Sequence, residues 1–419
     1  MSEVLLTFPA SRDALTSPAG AGEVETRSVE GEGDRVASQQ SFSRPARSHP
    51  SHTGNLIVIA ACGTGGHFFP AEALAAELLT RGRRVALMTD ARSAGLQSAV
   101  FANHDHYLIH GAGIAGRGIT RAARAIAALA TGTIQARGIL AHIGAAAVVG
   151  FGGYPSVAPI LSARLLRRRP ALILHEQNAV LGRANRFLAR YADALALSFA
   201  ETTRVPETAA TVLTGNPVRP AVTALAETPY APPADTLNLL VLGGSLGARV
   251  FSDVAPPALA ALPDHLRIRL TVVQQCRAED LDRVRAAYAQ SGIAAELASF
   301  FPDIADRLAR AHLVIARAGA STVAELAVAA RPSILVPLPG AIDDHQSANA
   351  RALSDARGAS VIAQRDFSPA ALTERLTLLL ESPDMLAHAA LAARRIARPD
   401  ATARLADLVE DLMRKEVRT

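Results

Sequence analysis

The stretch GTGGHFFPAEALAAEL, residues 63–78, follows the apolar run NLIVIAA, residues 55–61, with only Cys62 between them. A buried strand, a tight glycine cluster and a helix with alanine and leucine at helical spacing form one β-turn-α unit. An ordinary turn needs one or two glycines. Gly63, Gly65 and Gly66 together imply that something comes very close to the backbone. The spacing is not the dinucleotide fingerprint, because Phe68 stands where its last glycine belongs. His67 sits beside this loop, at the mouth of the helix.

Working outward, the same unit recurs. Apolar runs at 56–61, 84–88, 146–151, 171–176 and 194–199 alternate with Ala/Leu-rich helical patterns, and runs at 237–244, 269–273, 312–316 and 333–338 repeat the theme. Continuous apolar strands between helices predict parallel sheets covered on both faces. AETPYAPPADT (226–236), rich in proline and without apolar period, reads as the start of a second unit after a linker. The fold class is therefore α/β, with two Rossmann-like domains facing across a cleft. Ligands belong at the carboxyl ends of the strands. Residues 1–54 carry no sustained apolar period and read as a disordered extension. The expected order is that extension, an N-terminal domain over 55–217, a C-terminal domain over 218–395, and a helix over 396–419 packing back towards the N-terminal domain.

Composition narrows the function. The 419 residues are 49% hydrophobic and 19% charged, which suits globular domains with substantial cores. Aromatic residues total 4% with no Trp, against a stacking platform for nucleic acid. The sequence pI of about 9.7 comes with a net charge of only +5 spread along the chain, which favours phosphate-bearing ligands over nucleic acid. Cys62 and Cys276 are far apart and in no metal spacing, as expected in a reducing compartment. No long apolar stretch is free of charge and no secretory signal opens the chain, so the cytoplasm is the expected address.

Two more glycine clusters end strands, GFGGYPS (150–156) and GGSLGAR (243–249). Backbone N–H groups at a helix N-terminus suit a diphosphate. HEQNAVLGRANR (175–186) puts His175, Glu176, Gln177 and Asn178 straight after a strand, and TGNPVRP (214–220) sets Arg219 near the domain junction. In ARAGASTVAELAVAA (316–330), Ser321 and Thr322 read as caps of a helix whose first turn contains Glu325. PGAIDDHQSANA (339–350) collects Asp343, Asp344, His345, Gln346 and Asn349, polar enough to meet a sugar. Asp280 and Asp282 lie in a charged helical stretch and read as a solvated face, so no metal is expected.

In this order, GTGGHFFPA, GFGGYPS, HEQNAVLGRANR, TGNPVR, GGSLGAR and ARAGASTVAELAVAARPSILVPLP…DDHQSANA resemble the MurG family over about residues 55–415. The resemblance implies a GT-B glycosyltransferase, metal-independent and without cofactor. It would invert the anomeric carbon as N-acetylglucosamine passes from UDP-N-acetylglucosamine to the 4-hydroxyl of the muramyl sugar of lipid I, undecaprenyl-pyrophosphoryl-linked muramyl pentapeptide, forming lipid II. By motif matching, Thr64, Gly65, Gly66, Asn178, Arg219, Ser245, Ile304, Ala320, Ser321, Thr322, Val323, Ala324, Glu325 and Gln346 would contact the nucleotide sugar. Two positions depart from the pattern: Ala316 stands where serine is frequent, and His345 where some relatives carry a second glutamine. A UDP-sugar 2-epimerase, a transferase with a soluble acceptor and a silent nucleotide-sugar-binding scaffold are the rival readings; intact His67, Glu325 and Gln346 speak against the scaffold.

His67 is the expected general base, since histidine ordinarily titrates near working pH; a loop-holding histidine is the alternative. Partners implied by the resemblance are the anionic surface of the inner membrane's cytoplasmic face and cell-wall synthesis proteins. Residues 114–140 carry Arg117, Arg121 and Arg124 at helical spacing, interleaved with Ile119, Ile126, Leu129 and Ala130. Such a helix suits shallow docking on an anionic leaflet, or a core helix with a solvated arginine face.

Overall fold

The computed structural model describes residues 55–61, 65–90, 98–109, 119–244 and 247–416, so the expected extension over 1–54 lies outside the described residues. All of those described fall in one compact unit. The first lobe holds a seven-stranded sheet of β1 (Leu56–Ala60), β2 (Arg84–Asp90), β3 (Asp105–Ile109), β4 (Ala147–Gly150), β5 (Ala171–Glu176), β6 (Ala194–Leu197) and β7 (Thr211–Leu213). Its order is β3-β2-β1-β4-β5-β6-β7, parallel throughout, with β1 pairing β2 and β4 at Ile57↔Val85 and Ile57↔Ala147.

The second lobe repeats the plan with β8 (Leu237–Leu242), β9 (Leu270–Gln275), β10 (Ala294–Ala298), β11 (Leu313–Ala316), β12 (Ser333–Leu335) and β13 (Ala359–Val361), in the order β10-β9-β8-β11-β12-β13. In each sheet the order reverses beside the first strand, between β1 and β4 and between β8 and β11. Such reversals open the crevice where doubly wound sheets hold ligands.

Alternation along the central strands fixes the layers. Ile57 and Ile59 pack with Leu74 and Leu78 of the helix Gly65–Thr80, while Leu56 and Val58 pack on the other face with Leu140 and Ile160. Leu239 and Val241 of β8 likewise face one helical layer, and Leu240 faces the other. The last helix, Ala401–Glu416, adds Leu405, Val409 and Met413 to the first lobe's core, and Glu410 binds Arg81 and Arg83 at 3.1 and 2.6 Å. The chain reaches it beside Gly215, whose φ is +89°; a Cβ there would lie 2.9 Å from Arg398 and Ala401. Only glycine satisfies both the conformation and the approach.

Candidate active site

His67 stands in the first turn of the helix Gly65–Thr80, at the carboxyl end of β1. Its Nδ1 is 2.8 Å from Gln177 Oε1, and the GFGGYPS loop runs beside its ring. A Cβ on Gly152 of that loop would lie 3.6 Å from His67 Cε1. Gln177 is buried and also meets His175, through Nε2 at 3.0 Å from the ring Nδ1 and 3.2 Å from the carbonyl. His175 is enclosed, leans on Phe151 and sets its Nε2 3.1 Å from the Gly215 carbonyl. Burial pushes the His175 imidazole down to about 4, so it is neutral at working pH.

Glu176 organises the rest of the loop. Its two carboxylate oxygens accept from the main chain and side chain of Asn178, from the Gly182 amide and from Asn185, at 2.9–3.1 Å. Asn178 then crosses the cleft: its Oδ1 accepts from the buried Asn349, whose own Oδ1 accepts from the Ala179 amide.

The second lobe brings charges. Arg219 binds Glu325 with both prongs of its guanidinium, Nε to Oε1 at 2.8 Å and Nη2 to Oε2 at 2.9 Å, and rests 5.0 Å over the Phe69 ring from the first lobe. Burial pushes the Glu325 carboxyl above the ordinary carboxylate range, and Arg219 works against that push. Glu325 stands in the second turn of the helix Ala320–Val328, not the first, because the helix begins after Gly319. Neither Ser321 nor Thr322 caps it; Gly319 is the N-cap, with no side-chain bond. Capping is thus not the use of these hydroxyls, and the Ser321 Oγ is buried without a protein partner.

The other expected site residues divide in four. Thr64 and Ser245 lie outside the described residues. Ile304 is buried in the second lobe's core, and Ala320 and Val323 are buried as well, with Ala324 packed beside them. Gly65 and Gly66 open the first helix, and a Cβ on Gly66 would meet nothing within 4 Å, leaving room before the loop. Gly243 is the opposite case, because a Cβ there would lie 2.3 Å from the Ala248 amide nitrogen. Gln346 is turned to its own loop, accepting from the Leu338 amide at 3.0 Å.

Sequence reading gave no partner to Asp343. Its backbone is left-handed, with φ of +56°, and its carboxylate receives Arg204 at 2.6 Å and Arg186 at 2.8 Å, with Arg183 at 3.8 Å, all from the first lobe. Those arginines hold its carboxyl below the usual range. Asp280 corrects the solvated-face reading: it is buried and paired with Arg283, while Asp282 is exposed. Among the described residues no three His, Cys, Asp or Glu side chains gather as for a metal ion.

Two Rossmann-like lobes meeting at the carboxyl ends of their strands, with glycine loops on both walls, define a GT-B glycosyltransferase. Residues 57–197 match the glycosyltransferase family 28 N-terminal domain and residues 238–411 the glycosyltransferase family 28 C-terminal domain. The UDP-N-acetylglucosamine–N-acetylmuramyl-(pentapeptide) pyrophosphoryl-undecaprenol N-acetylglucosamine transferase of Granulibacter bethesdensis is 63% identical, covering 84% of this chain and 93% of that protein. The enzyme of the same name from Gluconobacter oxydans is 54% identical, covering 85% and 99%. The crystal structure of Acinetobacter baumannii MurG superposes with a TM-score of 0.69 at 32% identity, covering 85% and 99%. The chain belongs to glycosyltransferase family 28 and, within it, to the MurG enzymes.

Proposed function

We propose that this chain transfers N-acetylglucosamine from UDP-N-acetylglucosamine to the 4-hydroxyl of the muramyl sugar of lipid I, giving lipid II with inversion and without a metal. The observation that carries the reading is the 63% identity to a transferase of that name over 84% of the chain. In the step, the acceptor hydroxyl attacks C1 of the donor sugar and its proton passes to His67. The bond from C1 to the diphosphate breaks, and its electron pair leaves with UDP. The loop from Gly243, the helix Arg249–Ala260 behind it and Arg219 are the groups suited to the charge that gathers there. Glu325 would serve the ribose hydroxyls. That role requires the donor to share or replace Arg219, since both carboxylate oxygens are now occupied.

The same reading has the enzyme work at the cytoplasmic face of the inner membrane as a peripheral protein, beside other cell-wall synthesis proteins. Among the described residues no helix is long and apolar enough to cross a membrane. The helix Ile119–Ile143 exposes Ile126 and Ile134, and the helix packed on it is followed by exposed Leu165, Arg167 and Arg168. Apolar tips beside arginines suit a shallow, anionic interface. Arg117 and the side chains of Arg121 and Arg124 lie outside the described residues. Replacing those three by Gln should lower binding to anionic vesicles, at about 1 kcal/mol for each arginine near the surface.

The deciding assay supplies purified protein with lipid I and labelled UDP-N-acetylglucosamine, with and without EDTA. Label should appear in the extracted lipid in both. An epimerised nucleotide with no labelled lipid overturns the reading, and loss of transfer in EDTA overturns its metal independence.

A further inference from the structure

We infer that His175 and Gln177 are positioning residues that fix the tautomer of His67, so that its Nε2 carries the free lone pair. The inference rests on the reading of His67 as general base.

The hydrogen bonds can be oriented from one end. The Gly215 carbonyl can only accept, so His175 Nε2, 3.1 Å away, carries the proton. Ser198 agrees: its hydroxyl donates to the Glu176 carbonyl at 2.8 Å, leaving its oxygen free to accept from the same Nε2 at 3.5 Å. A neutral imidazole with its proton on Nε2 must accept at Nδ1. Gln177 supplies that donor through Nε2 at 3.0 Å. The amide is held this way round by a second contact, because its Nε2 also faces the His175 carbonyl at 3.2 Å, which again can only accept. The Gln177 Oε1 is thereby turned to His67 Nδ1 at 2.8 Å, and an amide oxygen only accepts. His67 therefore donates from Nδ1, and Nε2 is left with its lone pair. A carbonyl in the first lobe thus sets, through two side chains, which nitrogen of His67 can take a proton.

The relay needs His175 neutral, because an imidazolium would donate at both nitrogens and oppose the Gln177 amide. Its burial supplies that condition. A histidine base in the wrong tautomer keeps its position but cannot accept the proton, and that fault alone is costly. It also explains a sequence feature that the fold does not require: two long polar side chains, Gln177 and His175, almost wholly enclosed beside a strand end.

The test is nitrogen NMR of protein labelled with ¹⁵N-histidine, the His67 signals being assigned by their absence in His67→Ala. Wild-type His67 should show the Nδ1–H form. Gln177→Met, similar in length but with only a weak thioether acceptor and no donor, should shift the ring towards Nε2–H and lower kcat roughly 10- to 100-fold with donor KM little changed. Gln177→Glu keeps an oxygen facing His67 Nδ1 and should keep its Nδ1–H signature while losing the donor to His175 Nδ1. A wild-type spectrum showing Nε2–H overturns the inference without any variant, so it survives a Met variant that does not fold. Wild-type kcat in Gln177→Met, while His67→Ala is inactive, also overturns it. Near-normal turnover in His67→Ala instead removes the general-base reading, whatever the tautomer.

Discussion

On the first-lobe wall of the cleft, His67, Gln177 and His175 are joined by neutral hydrogen bonds that end on a backbone carbonyl. On the second-lobe wall, Glu325 and Asp343 are carboxylates already answered by arginines, one within the lobe and three from across the cleft. The two walls come from the same strand order, so the difference lies in the loops. A neutral network can be buried at little electrostatic cost and holds one geometry without a ligand. A carboxylate answered by a guanidinium is held only until something offers better partners. On the proposed reading, one wall is set for proton transfer in advance, and the other exchanges its partners when a donor arrives.

The sharpest way to break this contrast is His67→Ala. If His67 is the general base, its loss should cut turnover roughly 10²–10⁴-fold, on the order of 3–5 kcal/mol in the barrier, with donor affinity little changed. Steady-state rates with lipid I, set beside direct titration of UDP-N-acetylglucosamine, would check both halves. A variant that loses donor binding in proportion would make His67 part of the exchangeable wall instead.

Next in size is the pH dependence of stability that the buried, neutral His175 imposes. Its imidazole lies at about 4 in the fold against an ordinary 6.5, chiefly because of burial. The unfolded chain takes up that proton first, so folding loses stability as pH falls from about 6.5 to about 4, and the loss is complete below. The total is roughly 3 kcal/mol. Urea unfolding at neutral and mildly acidic pH should show a steeper loss for wild type than for His175→Gln, which lacks the group. Equal slopes would mean that His175 is not buried neutral.

Glu325→Ala tests the other wall. If the carboxylate serves the ribose, donor binding should weaken by about 1.5–3 kcal/mol, the range for a charge-assisted hydrogen bond. Because Arg219 is freed by the same change, Arg219→Ala and the double variant belong in the titration. Unchanged donor affinity in folded Glu325→Ala would leave the pair as a structural tie.

Much of this was legible in the sequence, and what was missed has physical reasons. The strands read from apolar runs are those buried on both faces, β1, β4, β5 and β6 in the first lobe and β8 and β11 in the second among them. The missed strands, β3, β7, β10 and β13, are the edges of the two sheets. DHYLI in β3 and AAELA in β10 carry charges because one side of an edge strand meets water, so the apolar run disappears. Glycine loops and the HEQN segment were visible because strand ends followed by glycine or polar residues have few other uses. Their partners were not. Asn178 and Asn349 are 171 positions apart, and Arg186 and Asp343 are 157 apart, so only the folded lobes bring them together. Glu325 reads one turn too early because Ser321 and Thr322 look like caps, whereas Gly319 takes that place.

The smallest expected effect belongs to Asp343, and it separates charge from backbone on the exchangeable wall. Its left-handed φ of +56° suits asparagine as well as aspartate, so Asp343→Asn removes the charge while leaving the conformation cheap. Three arginines then lose their shared anion. Arg183 is largely exposed and Arg204 nearly half so, and such pairs contribute little singly and are screened by salt. The carboxylate itself is mostly covered, though, and Arg186 is the better buried of the three. The variant should therefore melt at a slightly lower temperature than wild type in low salt, and the gap should close in high salt. Thermal unfolding at two ionic strengths reads this directly. A gap that stays the same in high salt would mean that Asp343 holds the lobes through shape and hydrogen bonding. The second wall would then be as fixed as the first, and the contrast between them would rest on Glu325 alone.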